Sequence, residues 1–223
     1  MMQGNDAGPG AREPAETVSD TYERLLETAE RMFAEQGYGA VSARAITVAA
    51  GANIAAVHYH FGSKIDLLRA VYARRTVSLN AERERLLADS VERSGGRPAV
   101  ADILRAFVGP AFRTEPAFAR LSAKLSVETS PEVRTIAIET IGAVVPKFVA
   151  ALAAARPDLG RDEIAWRFSC VVGALMFARV DSGFIWQATG EAAQSLDWDV
   201  AFESIMPFLV AGFDAPAAKQ PPR

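Results

Sequence analysis

Residues 21–68 read TYERLLETAERMFAEQGYGAVSARAITVAAGANIAAVHYHFGSKIDLL. Tyr22, Leu26, Ala29 and Phe33 recur at three- and four-residue spacing, which places them on one helix face, and Gly37 ends that run. Asp20 with Glu23 three residues later has the pattern of a capping box opening this first helix. Ser42 is placed to cap a second helix and Asn53 a third, each offering a side-chain oxygen to free backbone amides, with Gly51 at the turn between them. Ser63 with Asp66 forms another capping box and opens a fourth helix through Leu67, Leu68, Val71 and Tyr72 towards Ala88. Two short helices joined at a glycine and preceded by a longer one form the arrangement that lays a recognition helix in a DNA major groove.

Outward from this stretch the pattern stays helical. Ser94-Gly95-Gly96 is the clearest loop, and beyond it the periodicity predicts helices near 98–113, 116–128, 131–155, 162–188 and 197–212. Ser130-Pro131 is a start signal, because proline at the first helical position loses no hydrogen bond. No segment alternates in the manner of a strand. The fold class read from the sequence is therefore all-α: a three-helix helix-turn-helix domain over 19–75, then a helical bundle over 76–213. Residues 1–18, rich in Gly, Pro, Ala and Glu, and residues 214–223, with Pro216, Pro221 and Pro222, read as disordered tails.

Composition narrows the function classes. The chain has 223 residues, half of them hydrophobic, enough for a sizeable core. Its net charge of -3 argues against a protein coated in nucleic acid. Residues 19–75 carry seven Lys and Arg against six Asp and Glu, so the DNA-binding unit is nearly neutral and its sequence-independent attraction to phosphate is expected to be modest. A single cysteine, Cys170, and no signal-peptide pattern point to a reducing cytoplasm. Neither the uncharged stretch between Arg44 and Lys64, broken by Gly51, Asn53 and two histidines, nor the short apolar run 168–178 reads as a membrane span. His58 and His60, two apart on a helix, diverge, and the chain holds no other histidine; no metal site is expected. Cys170 reads as a packed core thiol. No convergent set of acid, base or nucleophile suggests an enzyme, and no cofactor is expected.

The helix end Phe33–Gly37, the turn Ala49-Ala50-Gly51, the cluster His58-Tyr59-His60-Phe61 and Gly62-Ser63-Lys64 ahead of Leu67-Leu68 together resemble the helix-turn-helix domain of the TetR family of bacterial repressors. The resemblance implies a homodimer on a palindromic operator in double-stranded DNA. It places His58 and Tyr59 against backbone or bases, His60 against a base or phosphate, and Lys64 on a phosphate. The residues add their own reasons. Ser42 and Asn53 begin helices whose free amides attract phosphate, Arg44 is the flanking cation, and Ala55, like Ala56, is small enough to approach base edges.

The later helices carry apolar residues on more than one face: Trp166, Phe168, Val171, Leu175, Phe177 and onward to Phe184, Ile185 and Trp186, then Trp198, Phe202, Met206, Phe208 and Phe213. A helix apolar most of the way round needs two burial partners, so the last two helices are expected to form a homodimer interface. Pro110 and Pro146 lie inside helical patterns and are expected to bend them near Ala106 and Gly142, leaving room for a ligand. Phe107, Phe112, Phe118, Leu121, Trp166 and Phe177 are the expected lining, with Arg113 or Arg179 for an acidic head group. Asn53-Ile54-Ala55-Ala56-Val57, Trp166-Arg167, Gly173-Ala174 and Met206-Pro207-Phe208 with Ala211-Gly212 resemble the PsrA-like, fatty-acid-responsive branch of the family. That resemblance implies a small hydrophobic effector, a fatty acid or acyl-CoA, that releases a repressor from DNA.

Overall fold

The computed structural model describes residues 18–180, 187–190 and 197–217. Helices α1 (Val18–Gln36), α2 (Ala43–Ala49) and α3 (Ala56–Phe61) form the head. They are followed by α4 (Lys64–Arg93), α5 (Val100–Phe112), α6 (Pro116–Ser126), α7 (Pro131–Gly142), α8 (Val145–Ala155), α9 (Arg161–Val180) and α10 (Trp198–Asp214). No strand occurs among the described residues, and no single described helix is long and apolar enough to cross a membrane.

Two hydrophobic cores organise these helices, and the boundary between them does not follow the chain. The first holds Leu25, Ala29 and Phe33 of α1, Ile46 of α2, Val57 of α3 and Leu67, Leu68 and Val71 of α4. It also takes in Phe118, Leu121 and Leu125 of α6 and Val133 and Ile136 of α7, so part of the later bundle completes the core of the head. Tyr72 meets Phe118 with ring centroids 5.4 Å apart, and the Lys124 ammonium donates to the Glu35 carbonyl at 2.8 Å. The second core gathers Leu87 of α4 with Ile103, Leu104 and Phe107 of α5, Phe148 and Leu152 of α8, Phe168 and Leu175 of α9, and Met206, Leu209 and Phe213 of α10. Helix α4 reaches both, because its 30 residues give about 45 Å of length.

Several expectations shift. Asp20 lies inside the first turn of α1, not at its cap. The helix expected over 131–155 is two helices bent by 50°, and Pro146 sits at the start of α8. Its missing N–H is therefore harmless, and the chain breaks just after Gly142 where a kink was expected. Pro110 does stay inside α5, buried. The expected tail at 214–223 begins later: α10 runs to Asp214, and the Arg156 and Arg167 guanidinium groups donate to the carbonyls of Phe213, Ala215 and Pro216 at 2.6–3.1 Å. Residues 1–17, 181–186, with Phe184, Ile185 and Trp186, 191–196 and 218–223 lie outside the described residues.

Because Phe118 belongs to the shared core and is 3% exposed, Phe118→Ala is expected to lower the unfolding free energy by about 3–5 kcal/mol. Head and bundle should then unfold in one transition by circular dichroism, with the tryptophan signal, which reports only the bundle, following the same midpoint.

Candidate DNA interface and effector cavity

The helix-turn-helix is built by local hydrogen bonds that the sequence encodes. Ser42 is extended, and its Oγ accepts from the Ala45 amide at 3.1 Å, which caps α2. At the other end of α2 the Ala52 amide donates to the Thr47 carbonyl at 2.8 Å and the Gly51 amide to the Val48 carbonyl at 3.2 Å. This Schellman pattern needs a left-handed residue, and Gly51 supplies it with φ of +63°. The Asn53 side chain accepts from the Ala55 amide at 2.9 Å, so it caps the turn that leads into α3, one step ahead of the helix itself. Helix α3 is then seated by Val57, buried in the core, and by Phe61, which stacks on Tyr22 of α1 at 4.8 Å. Arg24 of α1 donates to the Ala50 carbonyl at 3.2 Å and fixes the end of α2.

This seating leaves Ser42, Arg44, Asn53, Ala55, His58 and Tyr59 exposed, with Tyr59 76% accessible. The His58 ring lies 2.6 Å from the Gly62 carbonyl through Nδ1. A carbonyl only accepts, so Nδ1 carries the proton and Nε2 is the nitrogen left for an outside partner. His60 is half-buried, its ring edge-on to Tyr22 at 5.9 Å and to Tyr59 at 5.0 Å, so it supports the exposed tyrosine from behind. Lys64 departs furthest from its expected place on a phosphate. Its ammonium donates to the Tyr38 and Val41 carbonyls, both at 2.9 Å, and stands 3.8 Å above the Tyr38 ring. Burial pushes its pKa below the ordinary lysine value. Two of its three donors are thus spent on closing the loop between α1 and α2. Ile54, 58% exposed at the entry to α3, escaped the sequence reading; its signal was an aliphatic residue between two turn residues with no core partner in register.

Most cations of the head are likewise committed. Arg69 pairs with Glu139 at 2.9 Å, Arg74 with Glu23 at 3.0 Å and Arg75 with Glu30 at 3.1 Å. Among the described residues of the head, Arg31 and Arg44 are the cations with no internal carboxylate or carbonyl partner, and Arg44 is the one on α2.

Between the two cores lies a mostly apolar cavity with about 70 Å³ of space open to the centre of a water molecule. Of the expected lining, Phe107, Phe118 and Arg179 are present. The other expected residues are elsewhere. Phe112 packs away from the cavity against Phe202 and Trp198, Leu121 is sealed in the first core, and Arg113 is exposed and paired with Glu82 at 2.6 Å. Trp166 and Phe177 point outward, 74% and 54% exposed. Both lie on the face of α9 opposite Phe168, Val171 and Leu175, the residues that fill the core. The lining missed from the sequence includes a run on α4, Tyr72, Thr76, Leu79 and Arg83, beside residues of α5 to α9. The α4 spacing of four, three and four residues is a legible helical stripe, obscured by the many charged residues around it. Burial lowers the Arg83 pKa to about 10, and its Nε donates to the Phe107 carbonyl at 2.9 Å.

Cys170, expected in the core, is exposed on α9 together with Trp166, Gly173 and Phe177, while α10 exposes Val200, Ser204, Phe208 and Ala211. Each helix thus carries a second, outward apolar stripe beside the one that fills the core.

Lys64→Met removes two charge-assisted hydrogen bonds and is expected to cost about 1.5–3 kcal/mol in urea unfolding. Tyr59→Ala is expected to leave stability within about 0.5 kcal/mol of the parent, since nothing in the core leans on its exposed ring.

Comparison with known proteins agrees with this geometry. The family of bacterial regulatory proteins of the tetR type matches residues 25–71, and the tetracyclin repressor-like C-terminal domain matches residues 105–212. No curated protein matches the chain. Among solved structures, the hemolysin II transcriptional regulator HlyIIR is similar with a TM-score of 0.62 at 16% identity, over 87% of this chain and 97% of that one. The fatty acid degradation regulator FadR from Bacillus halodurans has a TM-score of 0.62 at 15% identity, over 87% and 96%. A TetR-family regulator from Bordetella parapertussis 12822 has a TM-score of 0.61 at 20% identity, over 87% and 94%. At such identities the likeness to these structures is one of fold, while the two family matches span most of the sequence. The chain belongs to the TetR family of transcriptional regulators, whose members are typically DNA-binding repressors with a ligand-binding C-terminal domain and not enzymes.

Proposed function

We propose that the protein is a cytoplasmic, ligand-responsive repressor that binds a palindromic operator as a homodimer and is released by a small hydrophobic effector. The observation that carries this reading is the continuity of α4. Leu67, Leu68 and Val71 lie in the core under the recognition helix, and Thr76 and Arg83 of the same helix line the cavity. A ligand that fits one position of α4 better than another shifts the head with it, by as much as its affinities for the two positions differ.

In this reading residues 19–75 serve DNA and residues 76–213 serve effector and partner, although the first core draws on both. Ser42, Arg44, Asn53, Ala55, His58 and Tyr59 face the operator. Ile54 joins them as an apolar contact for a thymine methyl, while His60 and Lys64 hold the contact surface in shape. Helices α9 and α10 supply the dimer interface through their outward stripes, which matches two half-sites related by a twofold axis. A fatty acid or acyl-CoA is the effector class in keeping with the PsrA-like branch resemblance. Apolar walls support a hydrophobic molecule, and the volume favours a short one.

Binding of the purified protein to DNA flanking its own gene, at defined salt, tests the regulator. Nanomolar binding is expected, with release by one of a series of fatty acids or their CoA esters. Tight binding that none releases would leave a constitutive DNA-binding protein, and absence of sequence preference would overturn the regulator itself. Arg44→Ala is expected to weaken binding about tenfold and to reduce the salt slope by about one. Light scattering should give twice the chain mass of 23.9 kDa, and Phe208→Glu, at a 70% exposed position outside the core, should give the monomer.

A further inference from the structure

The cavity has an electrostatic peculiarity that a purely hydrophobic effector does not use. Arg83 of α4 and Arg179 of α9 both line it, 8% and 5% exposed, and no Asp or Glu does. Arg83 spends its Nε on the Phe107 carbonyl and one Nη on the Asn80 amide oxygen, at 2.9 and 3.4 Å. Arg179 donates from one Nη to the Thr114 carbonyl and lies 4.2 Å over the Trp198 ring. Its Nε and other Nη are fully buried and have no hydrogen-bond partner among the described residues. Glu115, which acts on Arg179 through space, is exposed and outside the lining.

Buried N–H groups left unpaired are costly and a buried charge gains from a close counter-charge, so the Arg179 guanidinium, beside a second buried arginine, is where an anion would be most favoured. Burial pushes both guanidinium pKa values below the ordinary arginine value, by more than Tyr72 near Arg83 or Glu115 near Arg179 offsets. The planar guanidinium fork matches a carboxylate in two parallel hydrogen bonds, and two forks from different helices can share one. The rest of the wall, including Phe107, Phe118, Val172 and Leu175, is apolar. With about 70 Å³ open to water centres, the cavity lies towards the small end of ligand pockets and suits a compact molecule.

We propose that this cavity binds a small free carboxylic acid, its carboxylate clamped between Arg83 and Arg179 and its short aliphatic or single-ring body against Phe107 and Phe118. The proposal rests on the effector reading above and narrows its chemistry. A thioester presents no carboxylate at the acyl end, so CoA esters are not the ligands of this site. Because the clamp joins α4 to α9, the bound anion draws the helix that carries the head towards the bundle.

Matched probes on the full chain test it. Hexanoate, octanoate, benzoate and phenylacetate are titrated by calorimetry and thermal shift beside their primary amides, with operator binding measured on the same samples. At least one acid is expected to bind saturably and roughly tenfold or more tightly than its amide, the difference that charge-assisted hydrogen bonds make. Arg179→Gln should remove most of that preference, and Arg179→Lys should restore part of it. The acid-against-amide comparison on the unaltered protein stands even if a variant fails to fold. Amides binding as well as acids would overturn the clamp and keep the effector cavity. Binding of hexanoyl-CoA or octanoyl-CoA without the free acids, or no binding by any probe at millimolar concentration, would also overturn the clamp. In those cases operator binding shows separately whether the regulator reading survives.

Discussion

Helix α4 must be buried in two different cores, one near each of its ends, and the remainder of the molecule is arranged around that requirement. Near its start Leu67, Leu68 and Val71 are fully buried beneath the head, and near its end Leu87 is buried beneath α5. Between them Thr76 and Arg83 face the gap that neither core fills, and this gap is the cavity. Polar residues are tolerated there because their hydrogen bonds are met locally: Thr76 donates to the Tyr72 carbonyl at 2.8 Å and Arg83 to that of Phe107. One continuous helix therefore links the core of the head to the wall of the cavity.

The head also shows how a nearly neutral surface can be prepared for DNA. Four of its arginines, Arg24, Arg69, Arg74 and Arg75, are drawn onto carboxylates at Glu23, Glu30 and Glu139 and onto the carbonyl of Ala50. The cost of that internal bonding is a weak phosphate field; the return is a rigid placement of α3 relative to α1 and α4. In the proposed reading, discrimination falls to the short exposed array around His58 and Tyr59, positioned by the stack of Phe61 on Tyr22.

The structure departs from the sequence-based expectations for particular physical reasons. Trp166, Phe177 and Cys170 are apolar residues on a helix whose other face fills a core, and periodicity alone does not say which stripe faces inward when both are apolar. The resemblance puts Lys64 on a phosphate, and in this chain its ammonium donates to the Tyr38 and Val41 carbonyls, more than twenty residues upstream. Arg83 was hidden because a charged residue in a charged helix reads as solvated. Only the arrival of α5 and α9 over it makes it a buried cation.

The sequence by itself determined what depends on a few neighbouring residues. That covers the all-helical class, the caps at Ser42 and Ser63, the left-handed turn at Gly51, and the family resemblance carried by residues 33–68, because hydrogen bonds that span three to six positions leave their signature in residue type and spacing. The tertiary structure alone decided which helices complete the core of the head and which side chains line the cavity. Those outcomes depend on contacts between residues tens of positions apart, where any apolar stripe of suitable size is locally equivalent to any other.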